Sequence, residues 1–103
     1  MAELDDLRRD IDRVDEELVR LLNERAHYVC EIGRIKKRLS MEVYQPDREK
    51  DVFDRVRRMA ADGPLRPDAI VRLFERIIDE ARSLERTVVH GDERESGSSM
   101  DTL

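Results

Sequence analysis

"LLNERAHYVCEIGRIKK", residues 21–37, carries apolar side chains at helical spacing, and Arg25 occupies one of the apolar positions. Followed in both directions, the seam reads Leu4, Leu7, Ile11, Val14, Leu18, Leu21, Arg25, Tyr28, Ile32, Ile35 and Leu39. Its steps alternate between three and four, a heptad pattern that predicts one helix from about Glu3 to Leu39. No proline interrupts it. Gly33 is the one weak helix former, tolerable at a cost of about 1 kcal/mol. Leu22 and Val29 widen the stripe toward a second contact surface. A cation in mid-seam weakens a coiled coil unless it sets register, and arginine is almost never buried without a partner. Arg25 therefore calls for a partner.

Downstream, "SMEVYQ" (40–45) leads to Pro46, suited to the first turn of a second helix, with Asp47 and Glu49 favourable near its N-terminus. That helix is expected to bury Val52, Phe53, Val56, Met59 and Ala60. "DGPLRPD" (62–68) ends it, with Gly63 as terminator and Asp68 as N-cap of a third helix. The third helix is expected to bury Ile70, Leu73, Phe74, Ile77, Ile78, Ala81, Leu84 and Val88. From about His90 the chain turns to Gly, Ser, Asp and Glu, too poor in apolar surface to fold. The reading is one helical domain over 1–89 and a disordered tail over 90–103.

Composition supports an all-α chain. Charged residues make up 44% and aromatics 4%, with no tryptophan, a mix poorer in β formers than a sandwich or barrel needs. The net charge of −5 argues against a nucleic-acid partner. Cys30 is the single cysteine, so neither an intrachain disulfide nor a cysteine zinc cluster can form, and a reducing cytoplasmic setting fits. "MAELDDLRRDID" lacks a signal-peptide core, and no apolar run approaches a membrane span.

Length decides the assembly. A helix of about 36 residues extends about 54 Å, whereas a compact 100-residue domain has a radius of gyration of about 13 Å. Two shorter helices cannot cover both sides of such a rod. The seam must find another chain, most simply in a two-fold, intertwined all-α homodimer of three-helix chains.

Several charges border the expected interior. Lys36 lies 11 residues beyond Arg25, only about 20° away around the helix, so the two share a face. Glu49 precedes Phe53 by four and Val56 by seven, Arg48 precedes Val52 by four, and Glu85 follows Ile78 by seven. Taken singly, each can snorkel from the edge of a stripe or form an incidental ion pair. Together, three cations and two carboxylates suggest a cavity for a small polyanion inside the bundle. His27 and Cys30 have no partners in this pattern and read as structural.

The motifs LRxxID (7–12), LLxER (21–25), IGxxK (32–36) and PxRE (46–49), followed by "LFERIIDEARSLE" (73–85), resemble the all-helical chorismate mutases over residues 4 to about 88. The resemblance implies conversion of chorismate to prephenate, on the route to phenylalanine and tyrosine, by an intertwined homodimer. It implies that Arg25 binds a substrate carboxylate and that Arg8 does so from the opposite subunit. Lys36 would bind a carboxylate and the ether oxygen, Arg48 would line the pocket, Glu49 would grip the ring hydroxyl, and Glu85 would be the second donor to the ether oxygen. The reaction is a pericyclic [3,3] rearrangement, which requires no metal, cofactor or nucleophile.

Three positions depart from the family pattern. Gln45 stands where aspartate is common, Ala81 where some members use serine, and Glu85 where well-studied bacterial members have glutamine. The first two bear on affinity. The third implies activity that rises toward acid pH, since a carboxyl donates only when protonated. Two other readings remain: isochorismate-pyruvate lyase on the same fold, and a non-catalytic dimerisation or regulatory module. Docking of the tail onto another shikimate-pathway enzyme is also open.

Overall fold

The structure is a computed structural model and describes residues 1–91. The expected three helices are α1 (Ala2–Leu39), α2 (Pro46–Met59) and α3 (Pro67–Val89), with a single 3-10 turn at Ala60–Asp62. No strand occurs among the described residues, which are all-α. Most of the segment expected to be disordered, from residue 92 on, lies outside the described residues.

α1 ends at Ser40, which takes the left-handed conformation (φ 55°, ψ 41°) usually given to glycine. Its N–H and that of Met41 return to the carbonyls of Lys37 and Lys36. Lys36, Lys37 and Arg38 occupy the last turn, where cations suit the helix dipole. α2 and α3 each begin with proline at the first helical position, where a missing N–H costs nothing.

α3 packs against both other helices, while α1 and α2 meet mainly through it. Val52 and Val56 of α2 and Ile78 of α3 form the buried centre, flanked by Phe53, Ile70, Val71 and Phe74. The α1 face that docks on α3 carries Val29, Gly33 and Lys36, all buried. Gly33 permits the approach: a Cβ there would stand 3.0 Å from Val88 Cγ1.

Several expected burials are corrected. Met59 is 71% exposed and Leu73 is also exposed, because each faces away from the α2–α3 contact. Asp68 is not an N-cap: Arg66 holds that position without a side-chain cap, and Asp68 in the first turn pairs with Arg57 instead. Gly63 closes the 3-10 turn in an extended conformation.

The seam itself is left uncovered. Leu7 and Ile11 are 61% and 58% exposed, and Leu4, Val14, Leu18, Leu21, Tyr28, Ile32, Ile35 and Leu39 are exposed as well. The chain extends 52 Å along its longest axis with a radius of gyration of 17.7 Å, beyond the value of about 13 Å for a compact chain of this size. Burial of large apolar side chains is the main favourable contribution to folding, and contiguous exposed apolar surface of this extent is unusual for a lone chain.

Candidate active site

A cleft of about 390 Å³ opens where the C-terminal half of α1, the 40–45 connector, the start of α2 and the end of α3 converge. Seven of the eight residues singled out from sequence line it: Arg25, Lys36, Gln45, Arg48, Glu49, Ala81 and Glu85. Arg8 does not. It lies on the exposed N-terminal part of α1, 17 residues and about 25 Å along the axis from Arg25.

At the closed end, Lys36 of α1 and Glu85 of α3 face each other, both buried. Lys36 Nζ donates to the Val43 carbonyl at 2.8 Å, tying the connector to α1. The same nitrogen stands 2.5 Å from Glu85 Oε1, so the two buried groups form a close ion pair, although no hydrogen bond of regular geometry reaches that oxygen.

The open end is cationic. Arg25 is half-buried, and its pKa is held below the ordinary arginine value first by desolvation and then by the guanidiniums of Arg48 and Arg55. All the neighbouring charges acting on it are thus of its own sign. An anion placed there relieves both burdens at once, and guanidinium groups bind carboxylates through paired hydrogen bonds.

Across the cleft, Glu49 Oε2 accepts from Arg82 Nε at 2.8 Å, and the Arg82 guanidinium lies 5.6 Å from the centre of the Tyr44 ring. Gln45 caps the start of α2 and donates from its amide to the Glu42 carbonyl at 3.0 Å, which stiffens the connector. Ala81 presents only a methyl group to the cavity. Val29, Val52 and Ile78 supply an apolar wall.

Arg82 and the Val43 carbonyl escaped the sequence reading. The signal for Arg82 was present: it follows Ile78 by four, as Glu85 follows it by seven, so the same spacing rule picks out both. The role of Val43 rests on a backbone atom and has no side-chain signal. Among the described residues there is no cluster of side chains able to hold a metal ion, and no helix is long and apolar enough to cross a membrane.

Known proteins resemble this chain over most of its length. The family model described as chorismate mutase type II matches residues 7–86. The chain is 38% identical over 91 residues to the bifunctional chorismate mutase/prephenate dehydratase of Aquifex aeolicus, covering 85% of this chain and 25% of that protein. It is 25% identical over 86 residues to the chorismate mutase of Methanocaldococcus jannaschii, covering 84% and 87%. The solved chorismate mutase (form II) of Thermus thermophilus superposes with a TM-score of 0.78 at 34% identity, over 82% of this chain and 94% of that one. The chain spans a quarter or less of the first two bifunctional relatives, 25% and 21%.

Proposed function

The chain belongs to the chorismate mutase type II family, and from that premise we propose that it converts chorismate to prephenate in the cleft just described. The observation that carries the reading is the cleft's charge layout. Arg25 and Arg48 stand at the open end as cations without a neutralising partner among the described residues, and the Lys36–Glu85 pair lies at the buried end. A dicarboxylate with an ether oxygen between its charged ends matches that layout.

The chemistry needs little beyond shape and charge. The rearrangement proceeds from a compact, pseudo-diaxial chair, and holding a flexible substrate in that form removes much of its entropic barrier. As the ether C–O bond lengthens, negative charge grows on the oxygen. Donors fixed at that point stabilise the transition state more than the ground state, and loss of one costs about 3–4 kcal/mol. Lys36 supplies one donor. Glu85 can supply the other only as a carboxyl O–H, since an ionised carboxylate has no proton to donate.

Arg8 cannot reach the cleft of its own chain, so the proposal includes a homodimer in which the exposed seams of two α1 helices pair and each Arg8 enters the other subunit's cleft. The bare seam supports it. A cytoplasmic setting accords with the lone Cys30. Several relatives join the mutase unit to prephenate dehydratase, and a working association with the enzyme that consumes prephenate belongs to the same proposal.

The test is chorismate depletion by purified protein across about pH 4–9, with a parallel incubation with isochorismate. The expected result is prephenate from chorismate and no salicylate from isochorismate. Arg25→Ala and Lys36→Ala should each lose activity by orders of magnitude while staying folded; near-normal turnover in both rejects this site.

A further inference from the structure

Among the described residues, Arg82 is the one charged side chain lining the cleft that has no role in the expectations drawn from sequence. It joins α3 to α2 across 33 positions of sequence, through Nε to Glu49 Oε2 at 2.8 Å. Many of the protein's other ion pairs link residues one helical turn apart on exposed faces. This pair is sheltered, with side-chain exposures of 28% for Arg82 and 17% for Glu49. The guanidinium is fixed from two further directions, by the Tyr44 ring at 5.6 Å and by Asp79 Oδ1 at 3.7 Å from Nη1. Its plane, and hence the direction of its Nε–H, is set before anything enters the cleft. Glu49 has no such support of its own: Arg82 holds Oε2, and no other side chain among the described residues donates to Oε1.

We propose that Arg82 is a positioning residue: it locks the Glu49 carboxylate so that its second oxygen is presented to the hydroxyl of a ring bound in the cleft. The inference rests on the proposed mutase reading, which supplies the hydroxyl. That hydroxyl takes no part in the bond changes, so the contact has equal strength in the ground and transition states. Losing it raises KM and leaves kcat nearly unchanged. A merely structural role would not sort between the two constants in this way.

The experiment is a double-mutant cycle read in kcat and KM on chorismate, using wild type, Arg82→Met, Glu49→Gln and the double variant. Methionine keeps the apolar stem of Arg82 and removes its donors. Arg82→Met should raise KM about tenfold with kcat within about twofold, and in the Glu49→Gln background the same change should move KM by less than about twofold. Against a chorismate analogue lacking the ring hydroxyl, Arg82→Met should behave as wild type. An equal KM change in both backgrounds, or a fall in kcat at constant KM, overturns the proposal. If Arg82→Met does not fold by circular dichroism, Tyr44→Leu, which removes the ring that orients the guanidinium, goes through the same cycle with the same outcomes. A wild type without chorismate turnover overturns this inference and the mutase reading together; an active wild type with additive variants overturns this inference alone.

Discussion

Lys36 Nζ lies 2.5 Å from Glu85 Oε1 across the α1–α3 contact, yet donates its directed hydrogen bond to the Val43 carbonyl. One ammonium therefore joins three pieces of the fold. The donor role proposed for Glu85 requires a proton on its carboxyl group. An ionised carboxylate at Glu85 can only accept and repels the developing negative charge, whereas a carboxyl O–H donates to it. The expected outcome is kcat/KM rising toward acid pH for wild type and a flatter profile for Glu85→Gln, whose amide donates at every pH. Measured kcat/KM profiles check this, and coincident curves remove Glu85 from the role.

Gly33 sets how close α1 comes to α3. An added Cβ would meet Val88 Cγ1 at 3.0 Å, Val88 Cβ at 3.1 Å and Glu85 Cγ at 3.4 Å. Overpacking of this kind costs about 1–3 kcal/mol, offset by about 1 kcal/mol of better helix propensity for alanine. Gly33→Ala should be destabilised by about 1 kcal/mol in urea unfolding, with a larger loss in kcat because α3, pushed back at Val88, carries Glu85 away from Lys36. Unchanged kcat would mean that the spacing of the two helices does not govern the site.

Ser40 holds a left-handed conformation that favours glycine. Ser40→Gly relieves a strain of about 1 kcal/mol and should raise the melting temperature by several degrees. The connector keeps its anchor through Lys36, so KM should stay within about twofold. A drop in melting temperature would show that the entropy glycine adds to the unfolded chain outweighs the relieved strain.

The exposed pair of Asp68 and Arg57 gives a stability effect with a defined sign. The Arg57 hydrogen bond, and then its charge, hold the Asp68 carboxyl below its ordinary pKa. A carboxylate depressed in the folded state adds stability above its unfolded pKa and loses it as pH falls through the folded value. Wild type should therefore melt above Arg57→Met at neutral pH, and the two curves should converge below about pH 4. A gap that persists in acid would assign the effect to packing of the Arg57 stem. Both groups are solvated, so the gap is small.

Subunit mixing tests the shared cleft. Arg8→Ala and Arg25→Ala proteins should each be nearly inactive. A heterodimer of the two has one site with both arginines intact and one with neither, so random mixing should restore about a quarter of wild-type activity. Placing a charge in the seam by Leu7→Glu with Ile11→Glu should yield monomers by analytical ultracentrifugation and abolish turnover. Active monomers, or mixtures that stay silent, reject the shared site.

The sequence alone determined the three helices and the faces on which most of the site lies. Heptad spacing needs only the 3.6-residue period, and proline and the loss of apolar periodicity mark the ends. The same spacing put Arg25, Lys36, Arg48, Glu49 and Glu85 beside apolar stripes before any contact between helices was known. Tertiary structure decided which stripe meets which. α1 docks on α3 through Val29, Gly33 and Lys36 rather than through the Leu7–Ile11 seam, and Met59 and Leu73 are exposed although their spacing suits burial. It also decided that Arg82 meets Glu49 and that the Val43 carbonyl meets Lys36. The physical reason is range. A helical face is fixed by residues three and four apart, whereas the angle and depth at which helices cross depend on packing between side chains far apart in the chain, which no local pattern encodes.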